Sequence, residues 1–131
     1  MACSECGAPT IVFSVPEEYQ ACTPGESAAA TLCTRCLTVE STSVESTGES
    51  DFTRVSDAFP TAANAAVPLA LALGLCPSLA TNRSAIETLL EAVERAGTDP
   101  LLVLDRLGDE PSIEPAFALE RRRHQLEQLL Y

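Results

Sequence analysis

Hydrophobic and polar positions alternate differently in the two halves of the chain. In the first half, apolar residues fall in short runs rich in β-branched or aromatic residues: TIVFSV at 10–15, AAATL at 28–32 and LTVE at 37–40. These runs predict three short strands, the first two joined as a β-hairpin. From residue 51 onward the apolar residues recur every three or four positions instead, which predicts helices.

The first two predicted helices lie in segments 59–75 and 82–97. Segment 59–75 is rich in Ala and Leu, and its Pro68 is expected to start or interrupt the helix. Segment 82–97 should end at Gly97. Its start can be capped by Asn82 or Ser84, and Ser84 with Glu87 matches the S-x-x-E capping box. Four apolar residues form the predicted buried stripe of this helix: Ile86, Leu89, Leu90 and Val93.

The last two predicted helices occupy segments 98–108 and 114–131. The shorter one carries strong boundary signals, with Asp99 as N-cap, Pro100 at the first helical position and Gly108 at the end. The last helix is predicted from residue 114 to the end of the chain, with a pair between Arg123 and Glu127 at i,i+4. Its apolar face is supplied by Leu119, Leu126, Leu129 and Leu130.

Four of the six cysteines form two C-x-x-C pairs 26 residues apart, which is the spacing of a four-thiolate zinc site. Two residues between thiolates let the backbone turn tightly, so that both sulfurs point into one tetrahedral corner. Gly7 follows the first pair and can adopt the positive φ that ends such a turn, whereas Leu37 follows the second pair. The pattern predicts a structural Zn²⁺ held by Cys3, Cys6, Cys33 and Cys36.

Other uses of the cysteines are less consistent with the pattern. Disulfides need an oxidising compartment, which nothing in the sequence indicates, and a redox dithiol is expected after a strand of a βαβ unit. Iron in place of zinc stays open, since both metals occupy four-cysteine sites. Cys76 is predicted to be a small buried residue, and Cys22 stays a possible substitute ligand.

The cysteine pattern does not predict an enzyme. Four thiolates close the tetrahedral shell, whereas catalytic zinc keeps one position open. The single histidine, His124, lies about 90 residues beyond the last cysteine of the pattern and has no partner motif. No catalytic or cofactor-binding residue is predicted apart from the four metal ligands.

The predicted fold is α+β, with a zinc ribbon followed by a small all-α unit of about four helices. We place the ribbon at 1–43, an acidic Ser/Thr-rich linker at 44–50 and the helical unit at 51–131. The linker composition cannot bury apolar surface. We therefore expect two semi-independent parts, of which the ribbon needs metal to fold and the helical unit does not.

The charge balance changes the expectation about partners. The chain has 19 acidic residues against 8 basic ones, a net charge of −11, and all the basic residues are arginine. A surface that is acidic and free of lysine suits very high salt. It disfavours nucleic acid and anionic membranes, since binding to phosphates relies on cations. The arginines cluster only at 121–123, where we expect a solvated, salt-bridged helix face.

No segment is predicted to direct the chain into or across a membrane. The N-terminus lacks the basic and apolar regions of a signal peptide. The most apolar run, 65–75, has eleven residues and contains a proline, whereas a bilayer span takes about 20. A cytoplasmic location is therefore predicted.

Several motifs together resemble a small, uncharacterised haloarchaeal zinc-ribbon family: CSECGAPT, LCTRCL, LALALGL, DPLLVLDRL and LERRRHQLEQLL. The resemblance implies a halophilic archaeal host and zinc at the four paired cysteines, and it implies no activity. Function is therefore an expectation from chemistry alone: a protein–protein interaction or adaptor module. The alternative is a ribosome- or transcription-associated factor that binds nucleic acid through its zinc ribbon.

Overall fold

The computed structural model describes residues 2–23, 25–43 and 50–130, with only the backbone described for residue 130. It confirms the α+β prediction, with a three-stranded antiparallel sheet followed by four helices in these ranges. The strands are β1 (Thr10–Ser14), β2 (Ala29–Cys33) and β3 (Val39–Ser41). The helices are α1 (Ala63–Leu75), α2 (Arg83–Arg95), α3 (Pro100–Gly108) and α4 (Leu119–Leu130).

The sheet has the order β1-β2-β3, and its register sets which side chains face the helices. Thr10 lies opposite Cys33, and Leu32 lies opposite both Ile11 and Val39. Along β1 and just beyond it, Ile11, Phe13 and Val15 are buried while Ser14 is exposed. This alternation places one face of the sheet against the helical half of the chain.

Helix α1 is the central element, because Ala65 to Leu73 are all buried. A helix that is apolar all round belongs inside a core, between other elements. The expectation that Pro68 starts or interrupts the helix is wrong, since α1 begins at Ala63 and runs through Pro68. The missing backbone hydrogen bond costs about 3 kcal/mol in an ordinary helix, and the burial of nine consecutive residues offsets that cost.

The predicted boundary between α2 and α3 is confirmed. Gly97 has φ +92°, and its N–H and that of Thr98 donate to the carbonyls of Glu94 (2.9 Å) and Val93 (3.2 Å), which closes α2 with a Schellman motif. Asp99 then caps α3 by accepting hydrogen bonds from the N–H groups of residues 101 (3.1 Å) and 102 (3.3 Å). The four residues of the predicted apolar stripe of α2 are all buried.

The predicted capping box of α2 is wrong. The helix begins at Arg83, so Ser84 is its second residue and Asn82 takes the N-cap position. The Asn82 side chain makes no capping bond, because its amide donates to the carbonyl of Ser78 (3.1 Å).

Helix α4 starts five residues later than predicted, at Leu119 instead of residue 114. The N–H groups of Glu114 and Ala116 donate to the carbonyls of Arg35 (2.9 Å) and Cys36 (3.0 Å). These long-range bonds hold the segment against the second C-x-x-C pair. A contact between the two halves of the chain therefore overrides the local helical pattern.

The buried side chains of the sheet and of the helices form one continuous hydrophobic cluster. Phe52 lies 5.6 Å from Phe13 and 5.4 Å from Phe59, measured between ring centroids, and so connects β1 to the helical half. On the other side, Gly74 of α1 lies directly against Val39 of β3. The boundaries at 43 and 51 stay predictions, since residues 44–49 lie outside the described residues. The shared core nevertheless argues against independent unfolding of the two parts.

Among the described residues, no helix has both the length and the apolar content that crossing a membrane requires.

Candidate metal centre

Two short loops meet at one end of the sheet and bring the paired cysteines together. We call residues 3–7 knuckle 1, which precedes β1, and residues 33–37 knuckle 2, which joins β2 to β3. The pairing of Thr10 with Cys33 aligns the two loops. Thr34 then fixes them to each other, because its N–H (3.1 Å) and its hydroxyl (2.8 Å) both donate to the carbonyl of Pro9.

The two knuckles share the same backbone hydrogen bond. In knuckle 1 the N–H of Cys3 donates to the carbonyl of Ala8 (2.8 Å), and in knuckle 2 the N–H of Cys33 donates to the carbonyl of Thr38 (3.0 Å). Each bond spans five residues, so both loops close to the same size. The two halves of the site are therefore built as matched turns.

Backbone N–H groups also point at the sulfurs. The N–H of Glu5 lies 3.4 Å from Cys3 Sγ, and the N–H groups of Arg35 and Cys36 each lie 3.4 Å from Cys33 Sγ. Donors in these positions stabilise thiolates, which are the form of cysteine that binds metal.

Both knuckles end in a residue with positive φ: Gly7 at +78° and Leu37 at +63°. The sequence indicated this turn only after the first pair, where the residue is glycine. A leucine in this conformation costs about 1–2 kcal/mol of backbone strain. The Leu37 side chain is fully buried in the core, which offsets that strain.

The four Sγ atoms of Cys3, Cys6, Cys33 and Cys36 all lie within 4.8 Å of one another. The Cys3–Cys36 and Cys6–Cys33 distances are 3.6 and 3.4 Å. Sulfurs around a tetrahedral zinc ion would be about 3.8 Å apart, given a Zn–S bond of about 2.3 Å. The structure therefore brings together the four predicted ligands in an arrangement that can hold one metal ion.

The surroundings of the sulfurs differ across the site. Cys6 is exposed, and a hydrogen bond from the backbone of Ala8 lowers the pKa of its thiol to about 7. Burial raises the pKa of Cys33 to about 12 and also raises the pKa of Cys36. Buried thiols of this kind lose their protons when a cation compensates the charge, so metal binding here should release protons.

The remaining cysteines lie outside the cluster. Cys76 is buried in the hydrophobic core, as predicted, and burial raises the pKa of its thiol to about 12. Cys22 is partly buried and packs against the same core, so it is not positioned as a substitute ligand. His124 is exposed on α4.

Gly7→Ala should lower the free energy of unfolding of the metal-loaded protein by about 1–2 kcal/mol. An added Cβ would have no atom within 4 Å, so the cost comes from the positive φ alone. Gly7→Asn is the matched control, because asparagine tolerates this conformation better. Urea titrations of both variants would test the point, and equal losses would contradict it.

One protein family covers nearly the whole chain. The family of unknown function DUF6276 matches residues 2–130, a range that contains both knuckles, the sheet and the four helices. No curated protein and no solved structure matches the chain. The family match confirms the resemblance to an uncharacterised family, whereas the halophilic archaeal host stays a prediction. The chain with this four-cysteine cluster belongs to the family of unknown function DUF6276.

Proposed function

We propose that the protein binds one Zn²⁺ through Cys3, Cys6, Cys33 and Cys36 and that the ion has a structural role. The observation that carries this proposal is the clustering of four sulfurs by two matched knuckles. Four thiolates complete the tetrahedral shell of zinc and leave no position for a substrate or a water molecule.

The ion would connect three distant parts of the chain. Knuckle 1 precedes β1, knuckle 2 lies between β2 and β3, and the carbonyls of knuckle 2 accept hydrogen bonds from residues 114 and 116. A metal held between the knuckles thus also fixes the surface on which the segment before α4 packs.

We further propose that the protein, with metal bound at its knuckles, acts as a protein–protein interaction or adaptor module. The closed ligand shell supports this role, and among the described residues no second group of three or more potential metal ligands is found. The net charge of −11 favours protein partners over polyanions. We also propose a halophilic archaeal host, on the basis of the acidic, lysine-free composition, and a reducing cytoplasm that keeps the thiols available.

The arginine cluster gives little support to the nucleic-acid alternative. Arg123 forms ion pairs with Asp105 (2.8 Å) and with Glu127 (2.6 Å), as predicted for the latter. Arg122 is half-buried and donates to the side chain of Gln125 (2.9 Å). Of the three, Arg121 alone is exposed, so no continuous basic surface is formed at 121–123.

Metal analysis combined with a count of free thiols tests the site. We expect one zinc ion per chain. Each of the four Cys→Ser variants at the knuckle positions should lower this stoichiometry sharply. Cys22→Ser and Cys76→Ser are matched controls that should keep full occupancy. A stoichiometry near zero, or equal losses in the controls, would overturn the proposal. A coloured protein that contains iron would support the four-cysteine site but show that its metal is iron instead of zinc.

Co-purification from the native host at native salt tests the adaptor role. We expect the wild-type chain to retain a defined protein partner that the metal-free Cys33→Ser variant loses. Recovery of ribosomal or transcription proteins together with nuclease-sensitive binding would instead favour the alternative.

A further inference from the structure

A cavity of about 310 Å³ lies between α4 and the segment that leads into α2. We propose that this cavity binds an organic anion, with a carboxylate or phosphate group held by Arg83 and Arg122 and a short apolar body against Leu79 and Leu129. The volume falls at the lower end of the range for small-molecule pockets. The cavity shares no residue with the knuckles, so the inference goes beyond the proposed metal site.

The charge of the cavity is opposite to that of the chain. Two of the eight arginines line it, and none of the 19 acidic residues does. Within the described part of the chain, neither Arg83 nor Arg122 forms an ion pair, whereas Arg123 forms two. Guanidinium groups match the geometry of carboxylate and phosphate, and an unneutralised pair in one cavity is a suitable receptor for either.

The two arginines are held in different ways. Arg122 donates to Gln125 Oε1 (2.9 Å) and more weakly to the carbonyl of Pro77 (3.5 Å), which fixes the plane of its guanidinium group. Arg83 is exposed and occupies the first position of α2, where the helix dipole disfavours a cation. An anion bound beside Arg83 would remove this local conflict.

The rest of the lining suits the other end of such a ligand. Leu79 and Leu129 are partly buried and pack against the main core, and Ala80 lies between Leu79 and the start of α2. Gln125 and Gln128 add amide groups to the lining. The cavity therefore combines two cations with apolar side chains, which is the composition of a site for an amphipathic anion.

The test is a titration of the zinc-loaded, ¹⁵N-labelled full chain, followed by amide chemical shifts at constant ionic strength. The probes are acetate, hexanoate, inorganic phosphate and hexyl phosphate. We expect saturable shifts confined to residues around the cavity. Hexanoate should bind at least tenfold more tightly than acetate, since each methylene that leaves water contributes about fourfold. The two phosphate probes show which oxyanion is preferred.

Variants then separate a built site from general charge attraction. Arg83→Gln and Arg122→Gln should each weaken hexanoate binding by about tenfold. Arg121→Gln is the matched control, because it removes the same charge from the same helix as Arg122 but does not line the cavity. If Arg122→Gln disturbs folding, hexanoate binding by the Arg83→Gln variant decides the outcome, because Arg83 is exposed. Equal weakening in all three variants, no gain from chain length, or no saturable shift would overturn the proposal.

Discussion

Replacing Cys33 by serine, or removing the metal with a chelator, is expected to abolish the folded sheet and to destabilise the helices with it. Structural zinc contributes about 10–16 kcal/mol to folding in isolated zinc fingers. Whole domains are typically stable by about 5–15 kcal/mol. The metal-free chain should therefore have little or no net stability.

The contacts between the two halves are the reason for expecting a joint loss. The sheet and the helices share one buried cluster, and residues 114 and 116 hydrogen-bond to knuckle 2. The sequence alone predicts a helical unit that survives without zinc, because residues 44–50 have the composition of a solvated linker. The packing now favours a single cooperative transition instead.

Thermal melts followed by circular dichroism, with and without chelator, would decide between these outcomes. Cys22→Ser is the matched control, since Cys22 lies in the ribbon but outside the cysteine cluster. We expect the control to melt like the wild type and Cys33→Ser to lose its cooperative transition. A helical signal that survives metal removal and melts with its own sharp transition would contradict this expectation.

Gly74→Ala should lower the free energy of unfolding by about 2–3 kcal/mol, the upper part of the range for overpacked cores. A Cβ at this position would lie 2.6 Å from Val39 Cβ and 2.9 Å from its Cγ2. The closest of these atoms is attached directly to the backbone of β3, so a side-chain rotation cannot relieve the clash. Helix α1 would have to move away from the sheet.

Gly108→Ala is the matched control for this prediction. Gly108 is also a helical glycine, but an added Cβ there would have no atom within 4 Å. The control should be neutral or gain up to about 1 kcal/mol from the better helix propensity of alanine. Denaturant unfolding of both variants measures the difference. A Gly74→Ala protein as stable as its control would mean that α1 and β3 are not in close contact.

Features with a local signal could be predicted from the sequence. The paired cysteines predict the four-sulfur cluster, because two residues between cysteines are enough to build each knuckle. Asp99, Pro100 and Gly97 mark the ends of α3 and α2 because capping depends on neighbours a few residues away. The β-branched run at 10–15 likewise predicts β1.

Features set by distant contacts could not be predicted. The late start of α4 depends on hydrogen bonds from residues 114 and 116 to knuckle 2. Leucine rarely adopts a positive φ, so the residue type of Leu37 does not indicate its conformation. That conformation depends on the burial of the side chain. The close approach at Gly74 pairs residues from opposite halves of the chain. Each of these follows from the packing of the two halves against each other.

The hydrogen bonds between knuckle 2 and the segment before α4 have a consequence during synthesis of the chain. Their partners are about 80 residues apart, which corresponds to roughly 4–16 seconds of translation at about 5–20 residues per second. Throughout that interval the carbonyls of Arg35 and Cys36 lack these partners, whereas residues 52–75, which pack against the sheet, are made earlier. Early capture of metal by the nascent knuckles would keep these two carbonyls in position until residues 114 and 116 are synthesised.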